Sequence, residues 1–457
     1  MPSHGARRGL DMYRRMKSGG SVGVSPPALL AMGFLSLIIV GTLLLALPIA
    51  SQSQSLSVFD ALFTATAAVT VTGLAIIEPQ QLSLFGQWVS IILVQIGGLG
   101  FVTFAVVSAI TLGHRMSLRQ QSLAQEAFNQ TSTARLRNTA ISVLRITVVI
   151  ELAAILLLFL WWWGSGRLEP GTALYHAIFH AVAAFNNSGY ALFEGSLSSF
   201  VDDGVTIAIL SSVVILGGIG FPVIAEVMRK KQWRTLPPYA RLMIVSALLL
   251  NLIGFAGIWL LEGRNPDTLG ALGWADQARA AWMQSVSLRT AGFATFNMEA
   301  MDDSTTLLAA VLMFIGGGSM STAGGIKLGT FVVIMAAVFA YIAQRKEVVI
   351  MSRTLSPDTV QKALAVVVVT TLTAVLALLL LTIFEDIAFA SLMMEVIAAL
   401  STTGVTHGIT AQLSTPSQCV ILALMFMGRV GPLTLVYSLA TRNRSRIRHP
   451  EMDFQVG

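Results

Sequence analysis

Strongly apolar runs of membrane-spanning length occur at 28–50, 86–113, 141–163, 203–228, 241–261, 364–384 and 417–440 of the 457 residues. A helix needs about 20 apolar residues to cross a hydrocarbon core about 30 Å thick. Lipid offers no partner to a backbone N–H or C=O, so each crossing segment must pair these groups within itself. The chain is therefore read as an all-α integral membrane protein. Its charge agrees: 11% of residues are charged, against roughly 25% in soluble proteins. The first run is too long for a signal-peptide core of roughly 7–15 residues, and is read as a span.

One further apolar region, 304–343, is too long. About 40 residues in one straight helix would reach about 60 Å, twice the hydrocarbon core. It must break, and FIGGGSMSTAGGIK at 314–327 is where glycine permits it. The stretch is not a phosphate-binding loop. Ile326 separates Gly325 from Lys327, and no strand pattern precedes it.

Most of the 29 basic residues fall on alternate connections, in the clusters Arg7–Lys17, Arg115–Arg137, Arg229–Arg241, Arg345–Lys362 and Arg442–Arg448. That face is read as cytoplasmic. The other connections carry Asp60, Glu78, Glu169, Glu194, Asp202, Asp203, Asp267, Asp276, Glu299, Asp302, Asp303, Glu385 and Asp386. Both termini then lie in the cytoplasm, which needs an even number of spans, and eight fits. The acidic face provides solubility, and a sharper reading makes it a weak funnel for cations.

Each acidic connection holds a second apolar segment too short to span: FDALFTATAAVTVTGLAI, LYHAIFHAVAAFNNSGYALF, ARAAWMQSVSLRTAGFATF and FASLMMEVIAALSTTGVTHG. Every one leads into a polar tetrad ending in glycine, at Gly73, Gly189, Gly292 and Gly404. A near-constant spacing of this size marks an internal repeat. A glycine cluster follows each tetrad at a similar distance, at Gly97, Gly217, Gly316 and Gly428. The predicted fold is four covalently linked units of outer helix, pore helix, loop and inner helix around one pseudo-fourfold pore. The units are 28–113, 141–229, 241–343 and 364–440, with cytoplasmic segments at 1–27 and 441–457. The inner helix is expected to bend at the cluster in units one and two. Gly431-Pro432 predicts a kink in unit four. In unit three the cluster opens into an intramembrane loop, 316–327.

Non-helical backbone at membrane depth is tolerated where it lines a watery path. Carbonyls of the tetrads TVTG, NNSG, RTAG and STTG could replace an ion's hydration shell. Short helices ending there would aim their negative ends at the same place, which favours a cation. Alternating-access transporters are built on inverted repeats, whereas these units are parallel. No Ser/His/Asp set, carboxylate pair or metal cluster converges in the spans, so enzymatic activity is not expected.

The stretches VTVTGL, AFNNSGYALF, SLRTAGF, STTGV, GGGSMSTAGGIK and MGRVGPLTL together resemble the Trk/Ktr/HKT superfamily of potassium transporters over residues 28–440. Among its branches they are most similar to the pore-forming B-type subunits of bacterial Ktr systems. Two extra N-terminal helices usual in the Trk branch are missing here. The resemblance implies potassium uptake across the bacterial cell (inner) membrane by a gated, channel-like pore. The alternative is a Na⁺-coupled or Na⁺-permeable cation symporter of the same fold, and a stimulating role for Na⁺ is a further expectation. Potassium would bind filter carbonyls of Thr70, Val71, Thr72 and Gly73, of Asn186, Asn187, Ser188 and Gly189, of Thr290, Ala291 and Gly292, and of Thr402, Thr403 and Gly404. The gate would comprise Gly316, Gly317, Gly318, Ser319, Thr322, Gly324, Gly325 and Lys327, together with Arg429 facing the pore. The resemblance implies no cofactor in this chain. It implies a homodimer seated on a cytosolic A-type regulatory ring whose nucleotide-binding domains take ATP or ADP. The bilayer is the remaining partner, and no nucleic acid is expected.

Other residues admit two readings each. Arg429 lies inside an apolar helix, where a charge costs about 2.5–3.5 kcal/mol or more and marks function by default. It either bars cations or pairs within the bundle. Lys327 either anchors the loop through carbonyls or sits in a water cavity. Arg289 and Glu395 either pair behind the filter or find separate partners. His176 and His180 share a helix face, but HAIFH lacks the glutamate of a zinc motif. Trp161, Trp162 and Trp163 read as an interfacial belt, Asp60 as a helix cap, and the lone Cys419 as a small buried hydrophobe.

Overall fold

The computed structural model describes residues 26–52, 54–100 and 133–431. The predicted N-terminal segment, the C-terminal tail, the ends of units one and four and the Pro432 kink lie outside the described residues.

Fourteen α-helices are described, three or four in each predicted unit. Unit one contains α1 (Pro26–Leu45), α2 (Val58–Thr70) and α3 (Leu84–Leu99). Unit two contains α4 (Thr133–Gly164), α5 (Pro170–Asn186), α6 (Gly204–Ile219) and α7 (Phe221–Lys230). Unit three contains α8 (Pro238–Glu262), α9 (Trp274–Ser287), α10 (Asp303–Phe314) and α11 (Leu328–Ile342). Unit four contains α12 (Pro357–Phe384), α13 (Phe389–Ser401) and α14 (Thr415–Val430). A two-stranded hairpin, β1 (Val349–Ile350) and β2 (Arg353–Thr354), joins α11 to α12.

The long first helices α4, α8 and α12, of 32, 25 and 28 residues, are each long and apolar enough to cross a membrane. Their outward sides are lined with leucine: Leu152, Leu156, Leu157 and Leu160 on α4 are all exposed. In water such a surface would aggregate; hydrocarbon is its natural solvent. Cys419 belongs to this outer surface, contrary to the expectation of burial. Where lipid is the solvent, an apolar side chain need not face inward.

The short helices α2, α5, α9 and α13 have 13, 17, 14 and 13 residues and are the most buried part of the molecule. They are rich in alanine, with Ala61, Ala65, Ala67 and Ala68 all fully buried on α2. Small side chains let backbones approach closely where hydrophobic burial no longer drives association. Each packs on the long helix before it. Each also packs on the last straight helix of the preceding unit: α3 on α5, α6 on α9, α10 on α13, and α14 back on α2. The contacts therefore close into a ring.

The glycine clusters break the last helix of each unit. α3, α6 and α14 end at Gly100, Gly220 and Gly431, with φ of 80°, 105° and 94°. Only glycine takes those torsions freely. In unit two the helix resumes at once as α7, bent by 103°, as the sequence predicts. Unit three has Ser319 at the matching position, and there the chain leaves helix earlier, at Ile315, and re-enters at Leu328.

Two local expectations are corrected. Ser57, not Asp60, caps α2: its Oγ accepts from Asp60 N at 3.1 Å and donates to Asp60 Oδ2 at 2.7 Å. The three tryptophans do not form one belt. Trp163 is exposed, whereas Trp162 is fully buried and donates to Thr206 Oγ1 at 2.8 Å. Consecutive helical residues point about 100° apart, so three in a row cannot share one face.

Candidate functional site

The four predicted tetrads end the four short helices, and their backbones match although their sequences do not. The second residue of each is left-handed: Val71 at φ 58°, Asn187 at 58°, Thr290 at 72° and Thr402 at 51°. The terminal glycines follow at 82°, 69°, 83° and 81°. Three of the four second residues are β-branched, a type that seldom enters this region without a strong surrounding constraint. The constraint includes a helix-closing hydrogen bond. Thr72 N donates to Ala67 O at 2.9 Å, Ser188 N to Ala183 O at 3.0 Å, and Thr403 N to Ala398 O at 2.8 Å. In unit three Gly292 N donates to Ser287 O at 3.3 Å. This is a Schellman-like helix ending in units one, two and four, and in unit three the closing bond falls one residue later.

Among the described residues, the carbonyls of 70–72, 186–188, 289–291 and 401–403 accept no hydrogen bond. Buried carbonyls are normally paired. Four bare sets stand side by side, an arrangement that could coordinate a cation stripped of its water. The glycines show how close the loops stand. A Cβ on Gly73 would strike Ser188 O, one on Gly189 would lie 2.6 Å from Gly292 Cα, one on Gly292 would strike Thr403 O, and one on Gly404 would strike Thr72 O. The circuit runs one, two, three, four and back to one.

Beyond the glycines opens a cavity of about 950 Å³ lined by Gly73, Gly189, Gly292, Gly404 and the glutamates Glu78, Glu194 and Glu299. No lysine or arginine is among its lining residues. At the other end of the tetrads lies the loop 315–327. Its backbone sits on the break in unit two's last helix. Gly318 N donates to Gly218 O at 2.8 Å, Thr322 N to Gly217 O at 3.3 Å, and Phe221 N to Met320 O at 3.0 Å. Thr322 Oγ1 donates to Phe185 O at 3.0 Å, beneath the second tetrad. The loop is closed at its neck, where Gly316 N donates to Ile326 O at 2.9 Å. A Cβ at Gly316, Gly318 or Gly324 would collide with backbone or with Thr402, so the loop is fitted closely to its seat.

Three cations hold this loop by its carbonyls. Arg429 donates to Thr322 O at 2.5 Å, to Gly98 O at 2.9 Å and to Gly97 O. Lys327 Nζ donates to Ala323 O at 2.6 Å, which selects the anchoring reading for that residue. Arg289 donates to Gly316 O at 2.9 Å and to Ala247 O at 3.1 Å. The paired reading of Arg289 and Glu395 is thereby overturned. Glu395 instead accepts from Thr406 Oγ1 at 2.5 Å and Thr410 Oγ1 at 2.6 Å. The two groups stand in different units, and each finds its own set of neutral partners.

Both ring nitrogens of His180 have protein partners, whereas His176 Nδ1 has none among the described residues. His180 Nδ1 lies 2.8 Å from His176 O, and its Nε2 accepts from Leu192 N at 3.2 Å. Gln284 and Glu395 occupy the same turn of their own short helices. Each accepts a threonine hydroxyl, from Thr295 and Thr406, and Gln284 accepts from Thr295 N as well, so this turn steadies the chain as it leaves the tetrad.

Three residues of the site carry no sequence signal that spacing reveals. Glu151 on α4 and Gln95 on α3 meet Asn186, the first residue of the second tetrad. Asn186 Nδ2 donates to Gln95 Oε1 at 2.6 Å and lies 3.4 Å from Glu151 Oε1, while Gln95 Nε2 donates to Glu151 Oε2 at 3.2 Å. Asn251 on α8 stands behind Arg289. A polar residue inside an apolar span is the one hint each gives.

The fold and this arrangement define a helical membrane protein with a cation-directed centre. The family model for TrkH, described as a cation transport protein, matches residues 29–445, and the chain belongs to that family. It is 41% identical over 438 residues to Ktr system potassium uptake protein B of Bacillus subtilis (strain 168), covering 95% of this chain and 97% of that protein. It is 40% identical to Ktr system potassium uptake protein B of Vibrio alginolyticus over 93% of each chain. The crystal structure of the potassium transporter TrkH from Vibrio parahaemolyticus shares the fold, with a TM-score of 0.67 at 20% identity, over 90% of this chain and 85% of that one.

Proposed function

We propose that this chain takes up potassium through a single pore ringed by four tetrad loops, with the loop 315–327 and Arg429 as its gate. One observation carries the reading: four loops of unlike sequence share two left-handed torsions and leave their carbonyls bare, side by side. Carbonyl cages of this kind replace the hydration shell of a potassium ion. The acidic cavity on the glycine side would gather cations, and the membrane potential would drive them inward at about 2.3 kcal/mol per charge per 100 mV. Eight spans, with both termini on the basic cytoplasmic side, belong to this proposal. So do the four unit boundaries and a bacterial inner-membrane location. The relatives' printed names include a Ktr system, so a cytosolic regulatory partner is proposed as well, together with a pore-subunit homodimer and a nucleotide on the partner.

Reconstitution in proteoliposomes tests the reading. Potassium and rubidium flux should exceed sodium flux. Deletion of residues 319–322 should raise potassium flux, and Arg429→Ala in that background should raise it further. Equal sodium and potassium flux from the intact protein would sink the filter. Flux unchanged by the deletion, in protein that elutes as a folded particle, would sink the gate.

A further inference from the structure

We infer that Arg289 is a positioning residue that couples the third tetrad loop to the loop 315–327, so that an ion held by the filter and the state of the gate bear on each other. The inference rests on reading 315–327 as the gate.

The first position of the tetrad is Thr70, Asn186, Arg289 or Ser401 in the four units. Arg289 alone among them reaches the loop. Its backbone belongs to the tetrad, one residue before the left-handed Thr290. Its side chain is only 8% exposed. One guanidinium nitrogen donates to Gly316 O at 2.9 Å, and the other to Ala247 O at 3.1 Å, with Asn251 Oδ1 at 3.5 Å. Gly316 is the neck of the loop, since its N–H closes the bridge to Ile326. A single rigid side chain therefore spans from filter backbone to gate hinge.

A second contact zone runs beside it. Arg289 Nε and Asn187 Nδ2 find no partner among the described residues, and both residues line a cavity of about 20 Å³ between the second and third tetrads. That is the room one water needs. Asn187 Oδ1 meanwhile accepts from Thr322 Oγ1 at 3.2 Å. The same small space thus adjoins two tetrads and, through Gly317, the loop. Lysine cannot copy this arrangement. Its ammonium is a point donor without the planar fork that serves Gly316 and Ala247 at once.

The test is a double-mutant cycle in proteoliposomes, crossing Arg289→Lys and Arg289→Gln with deletion of residues 319–322. Readouts are half-saturating potassium, maximal flux and the potassium-to-sodium ratio, with elution profile and melting in detergent as folding controls. In the intact chain each Arg289 variant should raise maximal flux and shift half-saturation about tenfold, the scale of one hydrogen bond to a charged group. In the deletion background, where the hinge is already released, the same change should be smaller by about threefold or more, the signature of coupled sites. Effects that simply multiply, or an Arg289→Lys protein indistinguishable from the parent, overturn the inference. A second measurement leaves Arg289 untouched. With Cys419→Ala, the thiol-labelling rate of Ser319→Cys should change when potassium replaces choline, and an unchanged rate also overturns it. If the deletion alone leaves flux unaltered, the gate reading fails and takes this inference with it. If the deletion raises flux but the effects multiply, only this inference fails.

Discussion

The tetrads of units one and four are braced differently from those of units two and three. In units one and four the first residue is a hydroxyl that serves only its own loop. Thr70 Oγ1 donates to Thr66 O and sits 2.7 Å from Thr72 Oγ1; Ser401 Oγ donates to Ile397 O and sits 2.6 Å from Thr403 Oγ1. In units two and three a long side chain takes that place and leaves the loop. Asn186 reaches α3 and α4, and Arg289 reaches α8 and the neck of the loop 315–327. The backbones nonetheless agree in torsion. One geometry is therefore held in two ways, one self-contained and one dependent on distant elements. The loop 315–327 rests on both members of the dependent pair, on Gly217 and Gly218 of unit two and on Arg289 of unit three, and is held as well by Arg429 of unit four.

The largest effect should fall where the two pairs are alike. Serine at Gly73, Gly189, Gly292 or Gly404 puts a Cβ into the neighbouring loop and demands a left-handed torsion, itself worth about 1–2 kcal/mol. That torsional cost alone should raise half-saturating potassium about 5- to 30-fold, since 1.4 kcal/mol is a decade, and the Cβ clash should add to it. Four serine variants with parental affinity would mean that the tetrads are not the filter, and the comparison would lose its subject.

Next comes the brace of unit two. Glu151→Ala leaves Gln95 and Asn186 partly unpaired in a buried site, a cost of about 1–3 kcal/mol. Half-saturating potassium should rise about tenfold if that cost falls on the loop. Glu151→Gln keeps the shape and the hydrogen-bonding reach, and should stay within about threefold, the scale of one neutral hydrogen bond. An alanine variant as active as the parent would remove unit two from the dependent pair.

The self-contained braces should matter less. Thr72→Val and Thr403→Val each remove one hydroxyl contact whose partner keeps its helix carbonyl, worth about 0.5–1.5 kcal/mol. Shifts of only a few-fold are expected in potassium titrations. Losses matching Glu151→Ala would show that the hydroxyl loops are no more robust, and the contrast would collapse.

Much of this was legible in the sequence. The apolar runs, the period of the glycines and the break at FIGGGSMSTAGGIK need only local rules, because span length and glycine torsion are local properties. The inward place of Arg429 follows from the cost of a charge in lipid, whereas for Lys327 the sequence allowed both a loop anchor and a cavity position, and the bond to Ala323 O decides. The braces were not legible. Glu151, Gln95 and Asn186 come from three helices, and spacing along one helix does not say which other helix it faces. Arg289 misled for a related reason. Charge complementarity suggested Glu395, but its partners are main-chain carbonyls, which every residue carries and no sequence advertises. The left-handed torsions of Val71, Thr290 and Thr402 run against residue preference, so the loop's neighbours, not its own residues, impose them.

The smallest predicted effect carries the comparison into the acidic cavity. Units one, two and three each send a glutamate to its wall shortly after the tetrad, while unit four sends Thr406 and Thr410. Glu78 is exposed on the cavity wall, and the protein around its carboxyl strips part of its water and raises it above the usual glutamate range. A raised carboxyl takes up its proton earlier as pH falls. Lowering the pH on the cavity side should therefore remove one negative charge before ordinary carboxylates titrate, and half-saturating potassium should rise. The change should be about twofold, since an exposed charge acts through water at about 1 kcal/mol or less. Glu78→Gln should begin with the weaker affinity and lose the upper part of the pH dependence. Because the effect is electrostatic and solvent-exposed, added salt that screens charges beyond about 8 Å should shrink it in the parent and leave the variant unmoved. A parent whose affinity is flat across that pH range, or a Glu78→Gln protein with the full parental profile, would take Glu78 out of the funnel and leave the bare carbonyls to select potassium unaided.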